Sequence, residues 1–109
     1  MASIQKRVAR GVKLLDKKKP SWWRKNATFS ISLSGLKMTN SPSSVLGQIY
    51  DDHISGCYKL NLTVGIGDKT CGFWCENSFT GETGDIAEAR ALSTEWRRVI
   101  RKRRAAEAT

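Results

Sequence analysis

Both ends of this 109-residue chain repeat apolar side chains every three to four positions and set cations across from them, a period that fits helices and not strands. Ile4, Val8, Val12 and Leu15 share one stripe of a helix expected over about 3–17. Lys6, Arg10, Lys13 and Lys17 recur on its opposite face at i, i+4, i+7 and i+11. Near the other end, Ala89, Leu92, Trp96, Val99 and Ile100 form the buried face of a helix expected over about 85–106. Arg90, Arg97, Arg101 and Arg104 line a separate stripe of that helix. Short amphipathic helices draw most of their stability from what their apolar faces bury, so each of these needs a packing partner.

Local signals set the boundaries. Gly11 sits near the apolar stripe of the first helix at a cost of about 1 kcal/mol in propensity, which a close neighbour would justify. Lys17-Lys18-Lys19-Pro20 ends that helix, because a residue before proline is pushed out of helical geometry. A short turn carrying Trp22 and Trp23 follows. Phe29, Ile31 and Leu33 alternate, as a short strand or ordered loop would. Ser41-Pro42 reads as a cap and first turn for a middle helix over about 42–55, with Val45, Leu46, Ile49, Tyr50 and Ile54 on its apolar face. Tyr58, Leu60, Leu62, Val64 and Ile66 alternate strictly, which predicts a strand, with a return toward Cys75 as a hairpin. Asp85 and Glu88 make a capping-box analogue for the last helix.

Charge divides by position. Residues 1–25 hold nine bases and one acid, residues 26–89 three bases and seven acids, and residues 90–109 seven bases and two acids. The formal net charge is +9, and two cationic ends around an acidic centre suit a polyanion or an acidic partner. The length suits a single domain over 1–109. Apolar runs are too short to span a bilayer, and no apolar stretch follows the N-terminal bases as a secretory signal would require. Three cysteines, an odd count, then point to a reducing intracellular setting.

Several patches recur in a known order: Arg7-Val8-Ala9-Arg10-Gly11-Val12-Lys13-Leu14-Leu15-Asp16, Pro20-Ser21-Trp22-Trp23, Val45-Leu46-Gly47-Gln48-Ile49-Tyr50, Gly56, Gly72-Phe73 and Glu95-Trp96. In that order they resemble a small protein family of actinobacterial bacteriophages and actinobacterial genomes. The resemblance implies a phage or prophage source and the host cytoplasm as the place of action; it implies no particular activity. The chain departs from the family pattern at Ser44, where relatives have cysteine, and after Gly56, where relatives continue helically.

Four constellations carry chemistry, each with a plainer reading beside it. The stripes Lys6/Arg10/Lys13/Lys17 and Arg90/Arg97/Arg101/Arg104 have the spacing to follow phosphates, with Trp22 and Trp23 as aromatic contacts for bases. The plainer reading is two solvated helix faces and two core tryptophans; a basic amphipathic helix lying on an anionic membrane is the weaker functional one. His53, Cys57, Cys71 and Cys75 offer a Cys3His zinc set, against three small thiols and a surface histidine. Gly65-Ile66-Gly67-Asp68-Lys69-Thr70 hints at a phosphate loop, but its spacing fits a hairpin turn better. Asp51-Asp52-His53 gathers carboxylates around the one imidazole, yet adjacent helical residues point apart.

The fold expected is mostly α (α+β), three helices in one domain with a strand or hairpin contribution around 58–75. Trp23, Leu46, Ile49, Phe73 and Trp96 are expected in the core. The function expected is non-catalytic: a phage accessory protein that binds nucleic acid through its basic helix faces. The alternative is a host-directed modulator docking on an acidic bacterial protein. No cofactor is required beyond the zinc that the histidine–cysteine set would take.

Overall fold

Helix α1 (Ile4–Lys18) opens on Ser3, whose extended backbone lets its hydroxyl accept the Lys6 amide at 3.2 Å. It closes at Lys19, whose amide returns to the Leu15 carbonyl just before Pro20. The computed structural model describes residues 3–24, 31–36, 38, 43–50, 52–64, 66–73 and 86–108. Within these, α2 (Val45–Tyr50), α3 (His53–Lys59), α4 (Gly67–Thr70) and α5 (Ile86–Ala108) complete a mostly helical fold. None of the described helices is long and apolar enough to cross a membrane.

Helices α1 and α5 run in the same direction. Arg7 pairs with Glu88 near their beginnings and Asp16 with Arg103 toward their ends. Between these pairs Gly11 meets Trp96. A Cβ on Gly11 would stand 2.2 Å from the Cys71 carbonyl oxygen and 2.9 Å from the Trp96 ring, so the helix backbone itself is the contact surface. That close approach justifies the glycine. Gly72 completes the crossing from the other side: it adopts φ +72°, and a Cβ there would lie 2.9 Å from the Val8 nitrogen.

Trp96 anchors the core. Its indole N–H donates to the Gly72 carbonyl at 2.7 Å, Phe73 stacks on it at 5.3 Å, and Trp22 meets it edge-on at 5.7 Å. Trp22 is fully buried with its N–H on Asp16, whereas Trp23 is only half-buried, so the tryptophan expected in the core is the wrong one of the pair. Leu46, Ile49 and Phe73 are buried as expected.

The expected middle helix is two helices. Asp52 has extended backbone, and its carboxylate accepts the Ser55 amide at 2.7 Å, which starts α3 afresh. Ser44 does the same for α2 by accepting the Gly47 amide at 3.0 Å. The two pack with Gly56 against Leu46, where a Cβ on the glycine would come within 2.7 Å of the leucine Cβ. Ser41-Pro42 and Asp85 lie outside the described residues.

The described part of 58–75 contains no strand. Helix α3 runs on to Lys59 and is closed by Asn61 in the left-handed region, φ 59°. The Asn61 amide returns to the Tyr58 carbonyl and the Leu62 amide to the Cys57 carbonyl, the pair of reversed bonds that terminates many helices. Alternation was coincidence: Leu60 is buried, but Tyr58, Val64 and Ile66 are exposed. The expected hairpin turn is also absent, because Gly67–Thr70 forms a single helical turn.

Candidate functional sites

The cationic stripe of α1 stands as its periodicity predicts. Lys6, Arg10, Lys13 and Lys17 are all exposed, and none forms an ion pair with another described residue. Arg7, which falls between the stripes, points inward instead. Its Nε donates to the Lys69 carbonyl at 3.1 Å and its Nη2 meets Glu88 at 2.8 Å, tying α1 to α4 and α5.

The expected stripe of α5 divides. Arg90 and Arg101 are exposed. Arg97 donates to the carbonyls of Leu33 and Leu36, at 3.0 and 2.5 Å. Arg104 donates to those of Trp23 and Ile31, at 2.8 and 2.9 Å. Burial pulls the Arg104 guanidinium below its usual pKa. These two arginines fasten the backbone at Trp23, Ile31, Leu33 and Leu36 to α5 and are not presented to a partner. Half of the α5 stripe thus faces backbone carbonyls, while Arg90 and Arg101 face solvent.

Cations from the two helices do meet, on the α5 side through residues that periodicity did not single out. A groove of about 490 Å³ between α1 and α5 is lined by Arg10 and Lys13 on one side and Arg98 and Arg103 on the other. Val12 and Val99 contribute apolar surface to it. Two acids sit among them. Glu95 receives Arg98 in a two-pronged contact, and Asp16 receives Arg103 likewise at 2.6 and 2.8 Å. Arg98's hydrogen bond, reinforced by its charge, holds the Glu95 carboxyl below its ordinary value despite partial burial. At Asp16, burial works upward, but hydrogen bonds from Arg103 and Trp22 outweigh it and the carboxyl is lowered. Four cations and two anions leave the groove net positive.

Neither tryptophan offers an open stacking face. Trp22 is interior, and Trp23 lies under the guanidiniums of Arg24 and Arg103 at 5.3 and 6.0 Å.

The second site is a buried polar cluster. His53 and Cys57 are four apart on α3, so one helix face carries both. The cluster is completed by Asp68, at the start of α4, and not by the expected cysteines. His53 Nε2 lies 2.8 Å from Asp68 Oδ2 and 3.5 Å from Cys57 Sγ, and the thiol lies 3.9 Å from the same carboxylate oxygen. All three residues are fully buried. Cys71 is half-buried outside this trio, and Cys75 lies outside the described residues. The surface histidine of the plainer reading is therefore an interior one. Burial and the Asp68 carboxylate push the Cys57 thiol up to about 12, which removes it as a nucleophile in this state. Asp52 is engaged as the α3 cap, accepting both the Ser55 amide and its hydroxyl.

No protein-family model, curated protein or solved structure matches this chain.

Proposed function

We propose that this chain is a non-catalytic bacteriophage accessory protein that binds nucleic acid through the cationic face of α1 and the adjoining α1–α5 groove. The observation that carries this reading is the α1 stripe, four exposed cations with no carboxylate partner among the described residues. Residues 6 to 17 span about 16 Å of helix axis, a length over which duplex DNA presents about ten phosphate charges. Arg10 and Lys13 continue the stripe into the groove, where Arg98 and Arg103 add positive charge from α5. The phage source and the host cytoplasm rest on the sequence resemblance alone. Catalysis has little to draw on, since the thiol is held protonated and Asp52 serves as a helix cap.

Fluorescence anisotropy with a short labelled duplex tests the reading across a salt series. Four phosphate contacts give a slope of about −3.6 in log K against log salt, or roughly a 150-fold loss between 50 and 200 mM. Absence of binding at 50 mM contradicts it.

A protein partner in the host is the second reading, and one observation favours it. Tyr58 is 84% exposed and Ile66 69%, with Ile54 and Val64 also open to solvent. Exposed large apolar side chains suit a protein contact better than a phosphate backbone. A host protein recovered from nuclease-treated lysate, with no duplex binding at low salt, selects this reading.

A further inference from the structure

The buried trio brings three different polar atoms to one point: His53 Nε2 and the Cys57 thiol both reach Asp68 Oδ2, at 2.8 and 3.9 Å, and stand 3.5 Å from each other. In a nucleophilic relay the thiol and the carboxylate would occupy opposite nitrogens of the ring, so the arrangement is not one of acid–base catalysis. What it does have is one focus for three different ligating atoms, nitrogen, sulfur and oxygen.

We propose that His53 Nε2, Cys57 Sγ and Asp68 Oδ2 bind a divalent transition-metal ion, zinc by the chemistry of the set, at a site between α3 and α4. Tetrahedral zinc at its usual bond lengths separates such ligands by about 3.3–3.6 Å. The three edges here are 2.8, 3.5 and 3.9 Å, so the ion enters by opening the histidine–aspartate edge about 0.5 Å and closing the cysteine–aspartate edge about 0.4 Å. Thiolate and carboxylate together balance the charge of a divalent ion, with the imidazole neutral. The carboxylate is already oriented, because its other oxygen accepts the Lys69 amide at 2.9 Å and Oδ2 is left toward the trio. The ion would join α3, which carries two ligands, to α4, whose end adjoins the Gly72 turn packed on α1. Cys71, one turn beyond Asp68, is not a ligand in this assignment.

Full-length reduced protein purified with zinc, passed over a desalting column and weighed by native mass spectrometry, is expected to carry about one zinc per chain. His53→Gln, Cys57→Ser and Asp68→Asn are each expected to weaken zinc binding about 100-fold or more, and Cys71→Ser to leave it unchanged. Cobalt(II) added to apo protein reports the sulfur directly: a thiolate-to-cobalt band in the near ultraviolet, present in wild type and Cys71→Ser and absent in Cys57→Ser. Should the cluster variants not fold, the wild type still decides, since its melting temperature must rise with zinc and fall back with chelator. Metal-free wild type after zinc loading, an unchanged melting temperature, or zinc lost in Cys71→Ser but kept in Cys57→Ser overturns the assignment.

Discussion

The cationic faces of α1 and α5 have the same look in sequence and different fates in the fold. On α1, Lys6, Arg10, Lys13 and Lys17 all reach solvent. On α5, Arg97 and Arg104 turn to the backbone carbonyls of Trp23, Ile31, Leu33 and Leu36, while Arg90 and Arg101 stay exposed. The difference lies in what each face looks at. Irregular chain laid on a helix carries carbonyls with no ladder to satisfy them, and the forked guanidinium meets two at once where an ammonium meets one less well. Periodicity reports which side chains share a face; it is silent on whether that face meets water or unsatisfied backbone.

The sharpest way to break the comparison is to erase the α1 stripe. Replacing Lys6, Arg10, Lys13 and Lys17 together with glutamine is expected to cut duplex affinity at least about 100-fold at low salt, read by anisotropy. The fold should survive, because none of the four is buried. A loss of less than about fivefold would move the interface elsewhere.

The α5 arginines should behave in the opposite sense. Arg97→Ala and Arg104→Ala each leave two carbonyls without a charged donor and are expected to cost about 1.5–3 kcal/mol of stability in urea titrations. Their binding at saturating folded protein should stay within about threefold of wild type. Arg97→Lys should recover only part of the stability, since lysine lacks the fork.

Acid provides a gentler probe of the groove. The Asp16 carboxyl lies below its ordinary value of 3.8, so its contribution to stability is present in full above that value and is lost as pH falls through the lower folded value. Asp16→Asn should therefore flatten the decline in stability below about pH 4. At neutral pH it should cost only about 0.5–1 kcal/mol, because the pair with Arg103 is over a third exposed and screened. A variant that declines with acid as steeply as wild type would remove Asp16 from the account.

The smallest effect is expected at the remaining α5 cations. Arg90→Gln and Arg101→Gln should each lower affinity less than about threefold and reduce the salt slope by less than the roughly 0.9 of a full phosphate contact. A full reduction would show that α5 shares the interface equally.

Much of the helical plan was legible because it is local. Ser3 and Pro20 bound α1, the stripes of α1 and α5 lie where spacing puts them, and Gly11 announced a close neighbour. The α2–α3 break was less legible, since Asp52 serves as a cap inside a run whose apolar spacing continues across it. At 58–66 two local signals competed, and Asn61 with its left-handed backbone won over an alternating pattern. The exchange of Trp22 for Trp23 depends on how the turn is rotated against Trp96, which no local pattern encodes. The polar cluster was half visible: the spacing of His53 and Cys57 on one helix face is a sequence signal, whereas Asp68 arrives from another element. The one hint of Asp68 was an acid standing where a phosphate loop would not tolerate it.

Lysine footprinting with an amine-reactive reagent, with and without a short duplex, tests the central claim most directly. Lys59, exposed on α3 and not part of the proposed interface, is the internal control. The account predicts that duplex slows modification of Lys6, Lys13 and Lys17 severalfold and leaves Lys59 unchanged. Protection of Lys59 with unaltered rates at the three α1 lysines would contradict it.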